Sequence, residues 1–165
     1  MTKNMKLCTS VIMLILPLIV SASCTTEEIA LTPNNNLPSS PENSESMKDT
    51  VLITIGSNQF TATLESNAAA SKFKKMLPLT INMKDLNGNE KFFDLPGNLP
   101  TNAANPRTIN LGDLMLWGSN TLVLFYKTFN TSYSYTRLGK VQNQSGLSQA
   151  LGSGNVTVTF ELLAK

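Results

Sequence analysis

The sequence predicts a mainly β protein: a closed antiparallel eight-stranded barrel with two short helices. Three observations carry this reading. Short runs of β-branched and aromatic residues recur from residue 50 onward, each bounded by Gly, Asn or Pro. Neighbouring runs are joined by hairpin-sized turns, and no strand–helix–strand alternation marks a parallel sheet. After Cys24 there is no further cysteine, so packing alone must hold the sheet closed.

The N-terminal segment precedes this domain. Lys3 and Lys6 make a basic start, Val11–Val20 is almost wholly apolar, and Ser21-Ala22-Ser23 leads to Cys24. The apolar run is short for a membrane span and fits the h-region of a signal peptide. Small residues followed by cysteine resemble a bacterial lipoprotein signal, cleaved before Cys24 and lipidated there. The position three before the cysteine is Ser21, where leucine is usual. Residues 1–23 are therefore expected to be the signal, 24–49 a flexible linker and 50–165 the barrel domain. The linker is rich in Asn, Pro, Ser and Glu and poor in large apolar side chains. Thr25-Thr26-Glu27-Glu28 resembles acidic signals that carry some Gram-negative lipoproteins to the cell surface. Asp49-Thr50-Val51 resembles a short bacterial O-glycosylation motif.

Removing the signal changes the charge argument. The full chain holds 13 Lys and Arg against 11 Asp and Glu, and the signal contains two of the lysines. The mature chain is neutral, which gives no bulk-charge case for nucleic-acid binding.

The domain opens with a hairpin, Val51–Ile55 and Gln59–Leu64, around Gly56-Ser57-Asn58. Ser66 or Asn67 can cap a helix running to about Leu77, with Ala69, Phe73, Met76 and Leu77 on one face and Pro78 as its stop. Lys72, Lys74 and Lys75 lie elsewhere on it as a solvated face. Leu79–Leu86 and Glu90–Leu95 form a second hairpin across Asn87-Gly88, a type I′ signal. The string around that turn lacks the glycine position and closing acid of a calcium loop. Pro96–Asn110 is a loop with three prolines. Asp113–Trp117 and Thr121–Tyr126 make a third hairpin around Gly118-Ser119-Asn120. Ser145–Leu151 is a short helix stopped by Gly152, and Asn155–Leu163 alternates as a closing strand.

The chemistry available is narrow. The chain has no histidine, which removes Ser-His-acid triads and the commonest zinc ligand. The domain has no thiol nucleophile and no phosphate-binding Gly-rich loop with its lysine. No metal and no cofactor is expected.

The order of motifs resembles the bacterial cyclophilin-like domain family. It is carried by Leu111-Gly112-Asp113-Leu114 before Leu116-Trp117, by Leu122–Tyr126, and by Tyr135-Thr136-Arg137-Leu138-Gly139-Lys140, within residues 50–163. The resemblance implies a small eight-stranded barrel. It also implies a peptidyl-prolyl isomerase site: an arginine, a Phe-Met pair, a glutamine and a groove histidine on one barrel face. The arginine would weaken the conjugation of the prolyl amide, whose rotation barrier is about 18–20 kcal/mol. Residues 79–99 contain Phe92-Phe93 but neither arginine nor glutamine, and the two arginines, Arg107 and Arg137, fall elsewhere.

The candidate site is then the aromatic stretch: Phe125, Tyr126, Tyr133, Tyr135 and Arg137, with no catalytic residue assigned. Aromatic faces can bind sugars, proline or peptide side chains. The expectation is a noncatalytic binding module, held at the outer membrane by lipid on Cys24, for a peptide, protein or small ligand. The alternative is a divergent prolyl isomerase that uses Arg107 or Arg137 in a relocated site.

Overall fold

The computed structural model describes residues 49–163. The expected signal peptide, Cys24 and the linker up to its last residue lie outside these residues.

Eight strands close into one antiparallel barrel in the order β1-β10-β3-β4-β7-β6-β9-β2. They are β1 (Thr50–Ile55), β2 (Asn58–Leu64), β3 (Leu79–Leu86), β4 (Glu90–Asp94), β6 (Asp113–Trp117), β7 (Thr121–Phe125), β9 (Thr136–Val141) and β10 (Val156–Leu162). Closure is made by the last strand meeting the first, with Ile53 opposite Phe160. Alternation delivers one face of each strand to the interior. Val51, Ile53 and Ile55, Phe60 and Ala62, Ile81 and Met83, Leu122 and Leu124, and Val158 and Phe160 meet there as one core. Asn87 and Gly88 both take positive φ, 55° and 63°, as a type I′ turn requires.

Two helices add to this core. Helix α1 spans Ala68–Lys74, with the Asn67 side chain accepting from the Ala70 N–H at 2.8 Å. It ends before the expected Leu77, because Lys75, Met76 and Leu77 donate three residues back instead of four. Phe73 is fully buried and meets Phe160 edge-on at 5.9 Å. Helix α2 spans Leu147–Leu151, shorter than expected: Gly146 precedes it at φ 79° and Ser145 supplies no cap. Leu147 and Leu151 are both buried in the barrel core.

A second layer was not expected. Within the loop 96–110 and the segment after β7, two short strands, β5 (Thr108–Ile109) and β8 (Phe129–Asn130), pair antiparallel. Ala104 bridges to Tyr135 beside them. This ribbon covers the outside of β6 and β7. A separate cluster forms beneath it from Ile109, Met115, Val123, Phe125 and Tyr135. Strands β6 and β7 are thus buried on both faces, which explains their unbroken apolar sequence.

The family-like motifs are structural joints. Gly112 has φ 84°, and its N–H donates to Phe125 O at 2.9 Å. Asp113 is buried, accepts from the Asn110 N–H at 2.9 Å and lies opposite Lys140, whose Nζ is 3.5 Å away. The Leu-Gly-Asp and Leu-Gly-Lys strings therefore meet across one strand pair.

Candidate functional site

A groove of about 570 Å³ runs over the outer face of β4 and β7, walled by the segment 129–135. Its floor comes from outward positions of paired strands: Glu90 opposite Phe125, and Phe92 opposite Val123. Phe129, Tyr133 and Tyr135 form the wall, and Leu86 and Trp117 form the rim. Hydrogen bonds to backbone carbonyls hold the wall in place. The Thr131 N–H donates to Arg107 O at 2.8 Å, and Asn105 Nδ2 donates to Ser132 O at 2.9 Å. Tyr135 stands edge-on to the buried Phe125, with ring centroids 5.5 Å apart.

Amides and hydroxyls line the groove beside its apolar side chains, and its two charged groups, Glu90 and Asp94, are both acidic. Asp94 accepts from the Thr121 hydroxyl at 2.6 Å. Glu90 is only 9% exposed, and burial pushes its carboxyl above the usual glutamate range. Among the described residues nothing donates a hydrogen bond to its side chain or pairs with it. Burial also pushes the Tyr135 hydroxyl up, and the negative charge of Glu90 adds to that shift. No lysine or arginine lines the groove.

The expected site residues do not all come together. Tyr133 and Tyr135 line the groove. Phe125 lies fully buried under it, part of its support and not its surface. Tyr126 faces the other way, because consecutive strand residues alternate. It joins the barrel core, and its hydroxyl donates to Asp85 Oδ2 at 2.8 Å. Arg137 borders a different depression of about 340 Å³ with Glu65, Asn67 and Asn102, where Tyr135 forms a shared wall. Tyr133, Tyr135 and Arg137 do not share one strand face, since strand β9 starts only at Thr136. Arg107 lines neither depression.

Sequence reasoning missed Glu90, Phe92 and Trp117. The alternation of β4 did signal that Glu90 and Phe92 share a face; pairing with β7 puts that face beneath a wall. It also missed a polar plug inside the barrel. Lys91, next to Glu90 but pointing inward, is fully buried. Its ammonium pairs with Asp85, donates to Gly152 O at 2.9 Å and Gly154 O at 2.6 Å, and lies 5.1 Å from the centre of the Tyr126 ring. Hydrogen bonds from Lys91, then from Tyr126, hold the Asp85 carboxyl below the usual aspartate range. Burial, aided by Asp85, pushes Tyr126 up to about 12. Among the described residues no three acidic, histidine or cysteine side chains cluster as metal ligands do.

The sequence matches the cyclophilin-like family over residues 53–161. The chain belongs to the cyclophilin-like family. Its barrel is similar to the solution structure of a hypothetical protein from Archaeoglobus fulgidus. That likeness has a TM-score of 0.50 at 16% identity and covers 72% of this chain and 97% of the other. It concerns the fold alone. None of the curated proteins compared with the sequence matches it significantly. On this cyclophilin-like barrel, the outer faces of β3 and β4 carry Thr80, Asn82, Lys84, Glu90, Phe92 and Asp94. None is the arginine or glutamine that the resemblance to isomerases calls for.

Proposed function

We propose that the protein is a lipoprotein, tethered to the outer membrane through Cys24, whose cyclophilin-like barrel binds a peptide, protein or small ligand without isomerase chemistry. One observation carries the binding role. Four large apolar side chains are exposed among the described residues: Leu86, Trp117, Tyr133 and Leu162. The first three rim the same groove. Exposed apolar surface gathered around a concavity that also carries polar groups is the usual form of a binding site. The two acids in the lining and the absence of both arginines from it support a noncatalytic role.

The experiment is a titration of isotope-labelled protein with a mixed-sequence peptide library, followed by amide shifts. Perturbations confined to residues 86–94, 117–123 and 129–135 are expected. Perturbations elsewhere, or none, count against the groove. A protease-coupled proline-peptide assay tests the chemistry: turnover that vanishes in Arg107→Ala or Arg137→Ala protein overturns the noncatalytic reading. The tether is tested separately. Cys24→Ala is expected to leave the precursor unlipidated and move the protein out of the membrane fraction, and a wild-type N-terminus other than Cys24 refutes it.

A further inference from the structure

The floor of the groove holds a group that the fold does not need. Glu90 lies on an interior strand of a closed barrel, where an apolar residue facing Phe125 and the outer cluster would pack without loss. Instead a glutamate sits there, nine-tenths buried as a residue, and among the described residues none hydrogen-bonds or pairs with its carboxyl. Its raised pKa is the mark of that unrelieved burial. Beside it, Asn89 Oδ1 is buried without a partner among the described residues, and Asn89 lines the same groove. The Asn89 oxygen and the ionised Glu90 carboxylate are both acceptors. What they lack is a donor.

The surroundings narrow the donor further. The groove offers the aromatic side chains of Phe92, Trp117, Tyr133 and Tyr135, neutral amides and hydroxyls, two carboxylates, and no cation of its own. Ring faces attract a positive charge, most strongly those of tryptophan, and a desolvated carboxylate gains most from a charged donor. A neutral apolar ligand would satisfy the rings but leave Glu90 and Asn89 unpaired. An anion would be repelled.

We propose that the groove selects an alkylammonium group, a primary amine on an apolar stem such as a lysine side chain, seated among the aromatic rings with its ammonium on Glu90. This rests on the groove being the binding site, and it names the ligand chemistry. The stem lies along Phe92 and Val123, and Trp117 and Tyr133 flank the entrance. The same chemistry can arrive as a free amine or on a polypeptide.

Trp117 is the single tryptophan of the chain and reports on the groove by its fluorescence. The full-length protein is titrated with N-acetyl-lysine methylamide, with N-acetyl-norleucine methylamide, which keeps the stem and lacks the charge, and with n-butylammonium. The lysine compound is expected to bind about tenfold more tightly than the norleucine compound. In Glu90→Gln protein that preference collapses to about onefold while norleucine binding persists. The variant stays folded, because it removes a buried charge and keeps the shape. Its unfolding midpoint is expected to equal or exceed that of the wild type. Tight binding of n-butylammonium assigns a free amine; binding that needs the lysine compound assigns a polypeptide. Equal affinity for lysine and norleucine in the wild type overturns the cation preference and leaves the groove standing. A preference unchanged in Glu90→Gln removes Glu90 from it. No fluorescence response to any probe, with peptide-library shifts mapping elsewhere, overturns the groove itself.

Discussion

Glu90 and Lys91 are neighbours in sequence and opposites in the fold. Alternation turns Glu90 out to the groove and Lys91 in to the barrel core, where its charge is compensated by Asp85 and two carbonyls. Removing one member of such a buried pair leaves the others uncompensated, so Lys91→Ala is expected to cost about 3–5 kcal/mol. The pH dependence has a definite sign. The folded-state pKa of Asp85 lies below its ordinary 3.8, so the pair's contribution is fully present above that value. It is lost as pH falls through the lower folded value. The gap between wild type and Lys91→Ala should therefore narrow below pH 3.8 in denaturant unfolding; a gap independent of pH would refute the pairing. The two tyrosines of the wall differ in the same measurement. Tyr133 is 65% exposed, and Tyr133→Ala should cost under about 0.5 kcal/mol. Tyr135 is 7% exposed and packs on Phe125, so Tyr135→Ala should cost about 3–5 kcal/mol. A large loss for Tyr133→Ala would remove it from the binding surface.

At the scale of elements, strand β9 shows why short strings in this chain are fixed. A Cβ on Gly139 would lie 2.5 Å from Thr63 O on the neighbouring strand β2. The contact is with backbone, which cannot turn aside. The register also shifts between Leu114 and Met115, where β6 faces this part of β9. Gly139→Ala is expected to destabilise by about 1–3 kcal/mol, as overpacking does. Gly97→Ala, which meets nothing within 4 Å, serves as the control. Equal stability of the two variants would show that β2 yields freely. The hairpins, the type I′ turn and the closing strand were legible because each carries a two-residue period and turn residues that can adopt its backbone. The ribbon was not, since strands of two residues, Thr108–Ile109 and Phe129–Asn130, have no period to read. Missing the ribbon meant missing the groove wall. Tyr133 and Tyr135 could be picked for their rings, whereas an acid two residues after the Asn87-Gly88 turn carries no such signal. The unbroken runs Leu114–Leu116 and Leu122–Phe125 held the missing signal, because strands buried on both faces need a second covering layer.

At the scale of the whole domain, two packed layers of unequal strength share strands β6 and β7. The barrel is closed, and its ladders run from Thr50 through to Leu162 without an edge. The outer layer rests on one two-residue pairing, the bridge from Ala104 to Tyr135 and a small apolar cluster. Regions with few buried contacts and few ladder bonds open locally at lower free energy than the core. The ribbon should therefore be the weaker unit, and it is also the wall of the groove. Native-state hydrogen exchange separates the two. The amides of Ala104, Thr131 and Tyr135, which bond across the ribbon region, are expected to exchange well before those of Ile53 and Phe160 in the barrel. A ligand held between β4 and the wall binds only the closed form, so saturation should slow the ribbon amides by a factor close to one plus the ratio of ligand concentration to Kd. Barrel amides that exchange only by global unfolding gain the same factor, whereas any that open by local routes distant from the groove stay unchanged. Equal protection of ribbon and barrel without ligand would mean the outer layer is locked to the barrel as one cooperative unit. The groove would then be preformed, and its affinity would owe nothing to closure of the wall.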